Sequence, residues 1–243
     1  MDFLVNEDHG RRYERLEREL QGLVGAHVAV VCTDLEGDID CLWPEERHVI
    51  SSAVPRRQRE FAAGRSAARE AIRRLIGTEE PIPANFDRSP CWPAGIVGSI
   101  AHTSDACLAM VGNQNSCLSI GVDIESNTGI EESLWEIICN SEEMRFIRDQ
   151  KPSEQPLFAK KLFVAKEAFY KWYFAQKRTV LDFHDVIVHW CDNTCEFKVS
   201  ACGSVDVDCI NQCNGQILTL EGYLIAYCAT PIVHSYRLET ANE

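Results

Sequence analysis

Leu118-Ser119-Ile120-Gly121-Val122-Asp123-Ile124-Glu125 is followed, 41 residues after its glutamate, by Lys166-Glu167-Ala168-Phe169-Tyr170-Lys171. In the first stretch Leu118, Ile120, Val122 and Ile124 alternate as in a β-strand, so Asp123 and Glu125 point to the same face. The second stretch supplies a third carboxylate, Glu167, between two lysines. Three oxygen ligands with cations nearby suit Mg²⁺ holding a substrate phosphate, because Mg²⁺ takes few carboxylates and keeps positions for water and phosphate oxygens. The pattern points to phosphoryl-group chemistry.

Working outward, residues 156 to 176 predict a long helix. Leu162, Ala165, Phe169, Trp172 and Tyr173 form its core stripe, and Lys160, Glu167 and Lys171 fall on the opposite side at 100° per residue. A second long helix is expected over about 57 to 76, stopped by Gly77 with Pro81 and Pro83 beyond. Strands are expected at 24–31, 95–101, 107–111, 186–190, 196–201 and 217–229, with short helices at 134–138 and 141–148. Each half thus offers a long helix followed by strands, which predicts an α+β fold of two similar subdomains, 1–118 and 119–243.

The chain has 243 residues, 45% of them hydrophobic and 25% charged, an ordinary globular composition. With 24 basic and 37 acidic residues the net charge is −13, which argues against general affinity for nucleic acid or anionic membranes. An anionic ligand needs a local basic site. The N-terminal residues show no secretory signal and no apolar run is long enough to span a bilayer, so a cytoplasmic protein is expected. The twelve cysteines contain no C-x-x-C pair, so they read as small buried hydrophobes in a reducing compartment rather than as a zinc site.

Taken singly, these features have bland accounts. Asp123 and Glu125 could be the polar face of an edge strand, and Glu167 with Lys171 an i,i+4 helix pair worth about 0.2–0.5 kcal/mol. His102 could be a satisfied histidine at a strand end. Arg57, Arg65 and Arg69 could be a solvated helix face partnered by Glu60 and Glu70, although guanidinium groups also bind phosphate bidentately.

In their order, however, the stretches resemble a known family. Gly121 to Glu125, with Phe163-Val164-Ala165-Lys166-Glu167-Ala168-Phe169-Tyr170-Lys171, is similar to the paired signature G-[IV]-D-[IVL]-E and W-x-x-K-E-A-x-x-K of the 4′-phosphopantetheinyl transferases. The segments Arg56 to Arg69 and Trp92 to Thr103 resemble the surfactin-type branch that includes the enterobactin synthetase component. Phe163 stands where the family has tryptophan, which keeps an aromatic. Ala101 stands before His102 where serine is frequent, so a hydroxyl contact is lost or passed to backbone.

The resemblance implies transfer of the phosphopantetheine arm of coenzyme A to a serine of an acyl or peptidyl carrier protein, with release of adenosine 3′,5′-bisphosphate. It also implies the family's fold of two subdomains related by a pseudo-twofold axis, acting as a monomer. Asp123, Glu125 and Glu167 match the Mg²⁺ ligands, with Mn²⁺ as the alternative ion. Lys166 and Lys171 match lysines that contact phosphates or serve the leaving group. Arg57, Arg65 and His102 match the holders of the 3′-phosphate and adenine end, and Arg88 is expected to join them. Glu167, directly or through a bound water, is the candidate base and Lys171 the candidate acid. The carrier would serve siderophore, nonribosomal peptide, polyketide or fatty acid synthesis, docking on apolar residues of the 126–155 region such as Ile130, Leu134, Trp135 and Ile138, which could equally form a second small core. Competing readings are a Mg²⁺-dependent nucleotide pyrophosphate hydrolase and a non-catalytic carrier-binding module.

Overall fold

The computed structural model describes residues 2–191, 194–203 and 205–232. In chain order its elements are α1 (Asp2–Val24), β1 (Val28–Thr33), α2 (Pro44–Arg47), α3 (Pro55–Ile76), β2 (Ile96–His102), β3 (Cys107–Asn113) and β4 (Cys117–Ser126). They continue with α4 (Trp135–Ile138), α5 (Ser141–Asp149), α6 (Gln155–Lys177), β5 (Val186–Trp190), β6 (Glu196–Ala201), α7 (Val207–Ile210), β7 (Asn214–Leu220) and β8 (Tyr223–Pro231). The class is α+β, as the sequence predicts: two antiparallel sheets, in the orders β1-β3-β2 and β4-β8-β7-β6-β5, each carrying a long helix.

Besides the short helices α2 and α7, which the sequence reading lacks, two larger differences from expectation stand out. Helix α1 is absent from the sequence prediction, which begins a strand at Val24; the strand starts at Val28, after Gly25 turns the chain with φ +77°. Tyr13, Leu16 and Leu20 are its buried stripe, separated by strongly charged residues that dilute the apolar signal. The expected strand at 217–229 is a hairpin, β7 and β8, broken at Glu221-Gly222, both of which take positive φ.

Both faces of the first sheet are buried. Ala29, Val31, Ala109 and Val111 meet Ala67, Ala68, Ala71 and Ile72 of α3. Val28, Val30, Leu108 and Met110 face α1 together with Ile120, Val122 and Ile124 of β4 and Ile225 of β8. One core therefore runs across the junction of the halves. On the far side of the second sheet, Leu224, Ala226 and Cys228 pack on Leu162, Ala165, Phe169 and Trp172 of α6. With Ile120, Val122 and Ile124 turned inward, strand alternation sends Gly121, Asp123 and Glu125 to the α6 side.

Gly121 lets that helix come close. A Cβ there would lie 2.1 Å from Ala168 O and 2.4 Å from the Trp172 amide, so no side chain fits between β4 and α6. Ser119 Oγ donates to Trp172 O at 2.9 Å beside the same contact. The two sheets are joined where Val122 N–H donates to Ser99 Oγ of β2 at 3.1 Å, a side chain standing in for a ladder bond.

All twelve cysteines are free, and seven are buried, which fits their reading as small hydrophobes. Among the described residues no helix is long and apolar enough to cross a membrane.

Candidate active site

Asp123 is buried on β4, and its Oδ1 accepts from Lys171 Nζ of α6 at 2.6 Å. Lys171 Nζ also donates to Val122 O at 3.1 Å. Two residues along the strand, Glu125 Oε2 accepts from Lys160 Nζ at 3.0 Å. The two lysines that helical spacing placed away from the helix core thus meet the two acids that strand alternation placed on one face. The second oxygen of Asp123, Oδ2, is buried with no hydrogen-bond partner among the described residues. Burial pushes the Asp123 carboxyl above the ordinary carboxylate range, opposed by Lys171.

Glu167 stands on the same helix, partly buried and without a hydrogen bond among the described residues. Burial raises its pKa, Lys171 opposes the shift, and the negative charges of Asp123 and Glu125 add to it. Among the described residues no three carboxylate, imidazole or thiol groups stand in metal-ligating geometry. The donor set nevertheless fits a hard divalent cation. It offers only carboxylate oxygens, one of them buried and unpartnered among the described residues, and the charges of Asp123 and Glu125 are met by ammonium groups at hydrogen-bond distance.

Lys166 is placed elsewhere than the resemblance implies. It is 2% exposed, and its Nζ donates to Glu143 Oε2 at 2.5 Å, Phe183 O at 2.7 Å and Ile138 O at 2.9 Å. All three of its protons are committed, so it has none to offer a phosphate. The reason is helical phase: Lys166 lies three or four residues from Leu162 and Phe169, on the core side of α6. The 126–155 region also divides. Trp135 and Ile138 are 4% exposed core residues, Ile130 packs against that core, and the apolar side chains facing solvent are Leu134, Ile137 and Phe146.

A cavity of about 820 Å³ opens between the halves. The turn 85–89 and segment 90–100 form one wall, and Tyr170, Lys171, Phe174 and Arg178 of α6 and its end form the other. Its floor is shaped by Gly98, where a Cβ would lie 2.8 Å from the Trp92 ring. Arg88 is on its rim with φ +67°, and among the described residues its side chain has no hydrogen bond or ion pair. Tyr170 also lines a smaller cavity of about 120 Å³, with Glu167, Leu181 and Phe183. A volume near 800 Å³ with a few convergent polar groups is that of a cofactor-sized ligand site.

Arg57, Arg65 and His102 gather beyond this cavity, His102 two residues past Ile100, the last β2 residue that lines it. Arg57 Nη1 lies 3.0 Å from His102 Nε2. A guanidinium only donates, so Nε2 accepts and the neutral ring carries its proton on Nδ1. Burial lowers the His102 pKa, with Arg57 and Lys171 adding to the shift. Arg65 is 5% exposed, stacked over Phe61 at 4.4 Å, and its Nε has no hydrogen-bond partner among the described residues. Burial brings its pKa down to about 10, which leaves it charged at neutral pH. Arg69, one turn on, is instead tied to the fully buried Glu46. Sequence reasoning missed Ser99 and Arg178; neither carries a signal in a single sequence, since each acts through a partner about 23 or 89 positions away.

Two family models match the chain: the 4′-phosphopantetheinyl transferase N-terminal domain over residues 45–112 and the 4′-phosphopantetheinyl transferase superfamily over residues 119–228. Among curated proteins, the chain is 33% identical over 145 residues to 4′-phosphopantetheinyl transferase PptT of Mycobacterium tuberculosis, covering 58% of this chain and 62% of that protein. It is 30% identical over 155 residues to 4′-phosphopantetheinyl transferase Svp of Streptomyces mobaraensis, 63% of each. To enterobactin synthase component D of Salmonella typhi it is 35% identical over 136 residues, 54% of this chain and 55% of that protein. The match spans about three fifths of the length of these relatives.

Proposed function

The chain belongs to the 4′-phosphopantetheinyl transferase superfamily, and from that premise we propose that it transfers the 4′-phosphopantetheine arm of coenzyme A to a serine hydroxyl of an apo acyl or peptidyl carrier protein. The observation that carries this reading is the meeting of Asp123 and Glu125 with Lys171 and Lys160 of the helix that also bears Glu167, beside a cofactor-sized cleft. Asp123, Glu125 and Glu167 would hold Mg²⁺, or Mn²⁺ in its place. Bound there, the ion neutralises the pyrophosphate and polarises the bond to be broken.

Coenzyme A lies in the cleft with Arg88 at its rim, and the phosphate at its nucleotide end is held by Arg57, Arg65 and His102. Lys166 is not among the contacts; it holds α6 in place. The serine oxygen attacks the phosphorus bearing the pantetheine arm, and the bond from that phosphorus to the bridging oxygen breaks. Glu167, directly or through a bound water, accepts the serine proton. Lys171, held between Asp123 and Val122 O, protonates or neutralises the departing adenosine 3′,5′-bisphosphate. The exposed Leu134, Ile137 and Phe146 offer the carrier an apolar docking surface. The protein would act as a cytoplasmic monomer in siderophore, nonribosomal peptide, polyketide or fatty acid synthesis.

The test incubates the protein with coenzyme A, Mg²⁺ and several apo carrier proteins. The expected result is a carrier heavier by one phosphopantetheine on its serine. Cleavage of coenzyme A without any carrier would favour a hydrolase instead, and carrier binding without mass gain a docking module.

A further inference from the structure

Arg178 ends α6 in a left-handed conformation, φ +53°, and its N–H donates to Phe174 O at 2.9 Å. This cap turns the chain out of the helix and lays the guanidinium over the Phe174 ring, 5.6 Å from its centroid. The side chain is 54% exposed, yet its end has fixed partners. Its Nη1 donates to Ser89 Oγ at 3.0 Å and stands 3.6 Å from Asp87 Oδ2. Ser89 and Asp87 belong to the opposite wall of the cleft, so Arg178 spans its mouth.

The turn that receives it is tightly built. Ala84 and Pro90 form a bridge, Asn85 N–H donates to Ser89 O at 2.8 Å, and Arg88 N–H donates to Asn85 O at 2.9 Å. Ser89 Oγ is the hub: it donates to Asp87 Oδ1 at 2.5 Å, accepts from Asn85 Nδ2 at 3.0 Å and accepts from Arg178. Within this turn Arg88 takes φ +67°, a conformation disfavoured for a non-glycine residue that persists only where its surroundings enforce it. What the enforced backbone presents on the cavity rim is a guanidinium without a partner among the described residues.

We propose that Arg178 is a positioning residue for ligand binding: by latching the 85–89 turn from across the cleft it aims Arg88 into the cavity, and so sets affinity for the nucleotide end of coenzyme A. The proposal rests on the coenzyme A reading of the cleft. An exposed ion pair alone adds little stability. The importance of this one lies in holding two walls of a binding site in register.

The experiment measures binding of adenosine 3′,5′-bisphosphate and of coenzyme A to the whole protein by titration calorimetry, alongside steady-state transfer. For Arg178→Ala, binding of both ligands should weaken about three- to tenfold, the range of one partly exposed charged hydrogen bond. KM for coenzyme A should rise in parallel, with kcat and KM for the carrier unchanged. Arg178→Lys should recover part of the loss, because an ammonium still reaches Ser89 and Asp87. Adding Arg178→Ala to Arg88→Ala should cost nothing further, since the latch acts through Arg88. Wild-type affinity in Arg178→Ala, or a loss additive with that of Arg88→Ala, overturns the proposal. A wild-type protein that binds neither ligand overturns the coenzyme A reading itself, and the latch with it.

Discussion

Lys166 and Glu143 form a buried ion pair, 2.5 Å between Nζ and Oε2, at 2% and 0% side-chain exposure. Glu143 is saturated as well, with Oε2 accepting from the Asn140 amide at 3.1 Å and Oε1 from the Val188 amide at 2.9 Å. One carboxylate thus pins the start of α5 and strand β5 to α6, one residue before Glu167. Removing one partner of such a pair costs about 3–5 kcal/mol, because the other charge is left buried and uncompensated. Lys166→Met is therefore expected to lower the denaturation midpoint sharply. Denaturant titration checks it, and a stable variant that had lost only coenzyme A affinity would return Lys166 to the phosphates.

Gly121 sets the spacing between Asp123 and Glu167, since its missing Cβ is what lets β4 touch the α6 backbone. The atoms in the way are a carbonyl and an amide, which cannot swing aside as a flexible side chain would. Gly121→Ala should cost about 3 kcal/mol, the upper part of the over-packing range, and should lower transfer activity further in whatever protein folds. A melting curve and kcat on the soluble fraction test this, and a variant with the wild-type midpoint would contradict the close approach.

Mg²⁺ is expected to stabilise the folded protein, because the unpartnered Asp123 Oδ2 and the neighbouring acids are relieved by a cation. The midpoint of thermal unfolding should rise with Mg²⁺ concentration in the wild type. In Asp123→Asn or Glu167→Gln the rise should shrink or vanish, and kcat/KM should fall by about a thousandfold, roughly 4 kcal/mol. An undiminished Mg²⁺ response in both variants would remove these residues from the ion.

His102 gives a signed pH effect. Burial and Arg57 hold its pKa below the ordinary 6.5, so the free protein keeps the ring neutral near pH 7. The folded value being the lower one, its contribution to stability is present above pH 6.5 and is lost as pH falls below it toward the folded value. An incoming phosphate reverses the preference by favouring the imidazolium. Binding of adenosine 3′,5′-bisphosphate should then take up a proton, and affinity should increase as pH falls from 8 to 6. Calorimetry in two buffers of different ionisation enthalpy reads the proton directly; in His102→Gln it should vanish.

What the sequence revealed followed from period. Strand alternation put Asp123 and Glu125 on one face, and 3.6-residue spacing put Lys160 and Lys171 where they meet it. The same arithmetic applied to Lys166 assigns it to the core with Leu162, Phe169 and Tyr173, so its burial was legible, although the motif's lysine drew attention to phosphate instead. Helix α1 was obscured because three apolar anchors are diluted among charges. The Arg178 latch and the Ser99 bridge depend on tertiary contacts between distant segments, which no local period encodes.

The order β4-β8-β7-β6-β5 carries a consequence for synthesis. Strand β4 finds its ladder partner in β8, on the order of a hundred residues later, a separation that makes the pairing a late event in folding. Asp123 and Glu125 pair directly with Ala226 and Leu224. While the ribosome is still adding the intervening segment, the strand bearing both acids has no ladder neighbour in its own sheet. The N-terminal sheet β1-β3-β2 can form from residues already emerged, so in a nascent chain Arg57, Arg65 and His102 would be in place before Asp123 and Glu125 are aligned by β8, whose last residue is Pro231.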